Sequence, residues 1–167
     1  MALQIFKIGS YEVPSGGVAS VTFTIPSGYS DLKIVMSART TRASFVYGNL
    51  DIRFNGATTN RSAKYIEGSG TSVASFSGTT GDIYVTGATA TANTFESIEI
   101  YIPNYANTSY NKTYSFEAVN ESNTGTPGAD LCAGLWSSTA AITSIAFTDT
   151  TSTLITQYST FTVYGIK

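Results

Sequence analysis

The sequence predicts an all-β protein, an antiparallel β-sandwich of jelly-roll-like topology with about nine to eleven short strands in a single domain covering residues 1–167, with an up-and-down barrel or an immunoglobulin-like sandwich as the rival architecture. Three observations predict it. Apolar and small polar residues alternate with a period of two in segment after segment. Gly, Pro and Asn punctuate these segments at intervals of roughly ten to fifteen residues. Ser and Thr make up roughly 28% of the chain and Asp, Glu, Lys and Arg together only 12%, which is how strands with a polar but uncharged outer face are written.

The elements follow in order. Leu3 to Ile8 predicts a first strand that frays into Gly9-Ser10, and Val13-Pro14-Ser15-Gly16-Gly17 a turn. Val21-Thr22-Phe23-Thr24-Ile25 alternates without a fault, with Val21, Phe23 and Ile25 toward the core. In Asp31 to Ala38, Leu32, Ile34 and Met36 share one face and Lys33 and Val35 the other; Arg39 to Gly48 reads as a polar loop. Leu50 to Phe54 alternates again and runs into Asn55-Gly56, the dipeptide suited to a type I′ hairpin, so a returning strand is expected over 59–67.

Residues 68–93, broken by five glycines, read as loop and short edge strands. Phe95, Ile98, Ile100 and Ile102 form a strand that proline stops at position 103, because it lacks the ladder N–H. A polar loop, 104–111, leads to a return strand beginning at Tyr114, and a loop over Asn123 to Gly128 leads to a central strand, Leu131 to Trp136. Ser137 to Ala141 reads as one helical turn or a tight connection, followed by strands over 142–148 and 157–166. The C-terminal strand is dense in aromatic and β-branched residues, an aggregation hazard unless it closes a sheet or a subunit interface. Val21–Ile25, Glu96–Ile102 and Ile142–Thr148 have the alternation to pair with it.

At 17.7 kDa the chain has the size of one domain able to bury about 70% of the surface its unfolded form exposes. The single Cys132 lies in an apolar run and reads as a small buried hydrophobe. A net charge of −2 with no basic run disfavours nucleic acid. No signal peptide or long apolar span is present, so a soluble product made in a cytoplasm, with no membrane contact, is expected.

The chain has no histidine, which excludes Ser-His-Asp and Cys-His catalysis and histidine-bearing zinc sites. No cofactor fingerprint occurs, and no catalytic, cofactor or metal site is assigned. The closest acidic pairs are Glu96 with Glu99, on opposite faces of one strand, and Glu117 with Glu121, on one face if the strand stays regular. Solvent-facing carboxylates explain them better than a glycosidase, and the chain is expected not to be an enzyme. Asn-x-Ser/Thr sequons at Asn60, Asn107, Asn111 and Asn120 arise by chance in such a composition. Tyr105 and Tyr110 bracket one polar loop and are the candidate contacts for a partner or a sugar ring; capping the end of the core is the competing reading. Trp136 reads as core.

Three passages, Ile100-Tyr101-Ile102-Pro103-Asn104-Tyr105, Ala133 through Ile145, and Tyr158 through Ile166, resemble small virion proteins of tailed bacteriophages, especially marine and cyanobacterial phages. The opening strands and Phe54-Asn55-Gly56 also fit. The resemblance implies a structural protein of the virion: a capsid decoration or cement protein, or part of a tail or head fibre with a host-receptor or glycan-binding role. It further implies a homo-oligomer, a trimer, contacting the major capsid protein or another virion protein. The chain departs from the group in having no large extension beside the domain and in ending with Lys167 after Tyr-Gly-Ile. A small stand-alone domain favours decoration over a fibre, which needs a shaft.

Overall fold

The computed structural model describes residues 3–121, 123 and 128–167. Its strands, in chain order, are β1 (Ile5–Glu12), β2 (Ser20–Thr24), β3 (Asp31–Ala38), β4 (Tyr47–Phe54), β5 (Arg61–Ser69) and β6 (Ser72–Gly78). The second half adds β7 (Asp82–Thr86), β8 (Glu96–Ile102), β9 (Lys112–Val119), β10 (Gly128–Trp136), β11 (Ser144–Asp149) and β12 (Thr160–Ile166). No described residue is helical, so 137–141 is a connection without a helical turn. The expected loop over 123–128 lies, for residues 124–127, outside the described residues.

Two antiparallel sheets result, one ordered β1-β12-β3-β8-β9-β10-β5-β6 and the other β2-β11-β4-β7. With β5, β6, β9 and β10 set aside, the remaining strands pair first with last and so on inward: β1 with β12, β2 with β11, β3 with β8, β4 with β7. That is a jelly roll, a long folded-over hairpin whose legs alternate between two layers. The insertions β5-β6 and β9-β10 both extend the large sheet beyond β8 and double its width. One continuous core joins the layers, aliphatic around Leu32, Ile34, Ile98, Ile100 and Val163 and aromatic under the extension. There Phe54 meets Tyr114 edge-on at 5.3 Å and Tyr65 stacks on Phe76 at 4.7 Å. The four-stranded sheet is narrower than the sheet it covers, and these long rings fill the space beyond it.

Two strand glycines make this packing fit. A Cβ at Gly134 would fall within the ring of Tyr114, and one at Gly165 within the ring of Tyr29. Each ring lies flat over backbone that only glycine leaves clear.

The structure corrects several expectations. Asn55 and Gly56 do take positive φ, 52° and 73°, and the Ala57 N–H donates to Phe54 O at 2.9 Å. No hairpin follows. Both edges of β4 are already occupied, by β11 and β7, so the turn carries the chain across to the other sheet, where β5 pairs with β10 and β6. The C-terminal β12 pairs with β1 and β3; β2 and β11 lie in the opposite sheet, and β8 lies beyond β3. Strand β1 does not fray at Gly9 but runs to Glu12 through a bulge between Lys7 and Gly9. The glycine-rich stretch supplies two edge strands, β6 in one sheet and β7 in the other, which brings the strand total to twelve.

Candidate interaction surface

The outer face of the large sheet is set by strand parity. Register places Thr162, Val35, Glu99, Glu117, Leu131 and Ile66 side by side across six strands. The adjacent row is Tyr164, Lys33, Tyr101, Ser115, Ala133 and Lys64. Ser115 and Ala133 are short, and the taller Tyr101, Leu131, Ile66 and Lys64 stand around them. Two shallow depressions of about 180 and 270 Å³ result, sharing Ser115 and Leu131 and together forming a groove across β8, β9, β10 and β5.

The groove joins apolar and acidic chemistry. Leu131 is 56% exposed and Ile66 53%, and Val119 outside the groove on the same sheet face 53%, more than folding requires of them. Lys33 Nζ pairs with Glu99 Oε2 at 2.8 Å, an exposed contact that contributes little. Glu117 directly faces Glu99 and has no ion pair among the described residues. Like charges set opposite each other across strands are destabilising in isolation. Tyr101 is held upright by its hydroxyl, which donates to Asp31 Oδ2 at 2.6 Å; that bond first, then burial, raises the phenol.

The loop tyrosines part company. Tyr105 is 1% exposed and belongs to the core; its hydroxyl donates to Pro26 O at 2.5 Å and its carbonyl accepts from Ile142 N–H at 2.9 Å. It is corrected from a contact residue to a core residue, because the loop folds back over the end of the sandwich. Tyr110 is 46% exposed. Its carbonyl accepts from the buried Lys112 Nζ at 2.9 Å, which also donates to Thr139 O at 3.1 Å and is lowered by burial. Cys132 and Trp136 are buried as expected, and burial pushes the Cys132 thiol up to about 12.

Glu96 and Glu99 do face opposite ways. Glu121 lies beyond the end of β9 and forms no strand pair with Glu117. Glu96 is buried beside Asp130, Asn120 and Thr86 in a small cavity between the sheets. Burial pushes its carboxyl up to about 8, despite hydrogen bonds from Asn120 and Thr86 that pull it down, and Asp130 adds to the rise. Burial, then Glu67, raises Asp130 to about 6, and its Oδ1 has no hydrogen-bond partner. The signal for this site was present in the sequence as parity, since Glu96 shares its face with Ile98 and Ile100, and Asp130 with Cys132. Nothing local said that the two would meet.

The chain matches no protein-family model, no curated protein and no solved structure.

Proposed function

We propose that the chain is a structural protein of a tailed-phage virion, a decoration or cement protein that binds and stabilises the head shell as a homotrimer. The observation that carries the reading is the groove, where apolar side chains left exposed by folding surround the unpaired Glu117. An apolar patch beyond the needs of the monomer marks a protein contact, and Glu117 fits a Lys or Arg on the shell protein. The resemblance of the strand passages to phage virion proteins supports the same reading.

Incubating purified protein with empty phage shells tests it. Wild type should co-sediment with shells and raise their melting temperature, while Leu131→Asp with Glu117→Lys should do neither. Labelling of intact particles only at the tail tip, or equal shell binding by the variant, would reject the proposal. Light scattering giving a monomer at working concentration would remove the trimer. The second reading, a receptor or glycan-binding module of a tail or head fibre, is favoured by the exposed ring of Tyr110 and is decided by host-cell adsorption.

A further inference from the structure

Away from the groove, the segment 88–94 and the turn 156–159 flank an open depression of about 270 Å³ lined by Arg39, Asn93, Phe95, Thr156, Gln157 and Tyr158. Tyr158 is 64% exposed yet holds φ at 71°, the left-handed region that a bulky side chain enters only at a cost. The turn around it is well tied, with Ser159 N–H donating to Thr156 O at 3.2 Å and Tyr158 N–H to Val13 O at 3.1 Å. Glycine or asparagine would make the same turn without strain. Neither the turn nor burial accounts for a tyrosine here, so the displayed ring itself is the feature to explain.

The floor beneath it is rigid. The Arg39 guanidinium donates to the carbonyls of Ala88, Ala90, Thr91 and Thr94 at 2.8 to 3.2 Å, and Thr156 Oγ1 donates to Arg39 O at 3.2 Å. That commits the local cation to backbone, which leaves little to attract an anionic ligand. The side-chain amides of Asn93 and Gln157, by contrast, have no hydrogen bond to another described residue. Each offers a donor and an acceptor.

We propose that this depression binds a neutral saccharide, with one sugar ring stacked on Tyr158 and its hydroxyls hydrogen-bonded by Asn93 and Gln157. An aromatic face takes the apolar C–H face of a pyranose, and paired amides match neighbouring hydroxyls. The inference deepens the receptor reading above, sharing its ligand class but not Tyr110.

Saturation-transfer NMR on the full chain, with glucose, galactose, mannose, N-acetylglucosamine and their oligosaccharides as probes, tests it. Transfer to sugar ring protons is expected. Tyr158→Asn, which suits the turn and should fold at least as well, should weaken binding by about tenfold or more, the equivalent of one lost stacking contact. Tyr158→Phe should retain binding. No transfer to any of these sugars, or wild-type binding by Tyr158→Asn, would overturn the proposal. Binding lost in Tyr110→Ala but kept in Tyr158→Asn would overturn this site while sparing the receptor reading.

Discussion

The jelly-roll half of the large sheet, β1-β12-β3-β8, and its extension, β9-β10-β5-β6, are built alike on the inside and differently on the outside. The central strands of each, β3 and β8 in the one and β9 and β10 in the other, bury every second residue against the same core. On the outer face, the central strands of the jelly-roll half show mainly Ser, Thr, Lys and Glu, with Val35 at 37% and Tyr101 at 41% exposed. The non-edge strands of the extension, β9, β10 and β5, show Ile66, Leu131 and Val119 above 50%. Apolar surface left in water contributes nothing to folding. Inner faces therefore report the requirements of the fold, and the outer face of the extension reports a requirement placed on it from outside.

Substitutions should separate the two. The largest effect belongs to the inner side, where Arg61 of the extension reaches across to Asp51 of the small sheet at 2.6 Å, with side chains 4% and 2% exposed. Asp51→Ala leaves Arg61 buried without its partner and should cost about 3–5 kcal/mol in urea denaturation. A loss below about 1 kcal/mol would mean that the extension is not locked to the jelly roll in this way.

Next comes the seam, where Glu96 of β8 meets Asp130 of β10. Burial pushes the folded carboxyl of Glu96 up to about 8, from the 4.5 of a free glutamate, so the folded state holds this proton more tightly than the unfolded one. Its contribution is complete below about 4.5 and is lost as pH rises through about 8. Stability should therefore fall across that window, by at most about 1.4 kcal/mol per pH unit from this group. Glu96→Gln should flatten the slope and raise the melting temperature at pH 8. An unchanged slope would place the titration elsewhere.

On the outer side, substitutions should change binding and leave stability nearly untouched. Leu131→Thr together with Ile66→Thr should shift stability by no more than about 0.5 kcal/mol per site while abolishing shell binding. A large loss of stability would make these side chains part of the fold after all. The smallest effect is that of Glu117→Lys, which turns the repulsive pair with Glu99 into an attractive one. It should stabilise by about 0.2–1 kcal/mol at low salt and less at high salt.

Much of the scaffold was legible from alternation alone. Val21, Phe23 and Ile25, and Leu32, Ile34 and Met36, face the core as their spacing requires, because side-chain period is a local property of an extended backbone. Asn55-Gly56 was legible as a turn for the same reason, since positive φ is a local demand. What the turn joined was not legible, because a hairpin also needs a free strand edge, and β4 has none. Tyr105 and Tyr110, a few residues apart in one loop, differ in burial only because that loop folds back onto Pro26 and Ile142. The sequence does not mark Tyr158 as a display residue, because its positive φ leaves no local signal in the residue type.

The sequence by itself determined a two-faced β chain, its turns and most of its core. The tertiary structure decided the partners of the C-terminal strand, the crossing after Asn55-Gly56, the meeting of Glu96 with Asp130, and the groove around Leu131. Alternation repeats identically in every strand, so it states which face is inward without stating which strand lies alongside. That choice is made by pairing between residues far apart in the chain, and the surface that faces a partner is created by it.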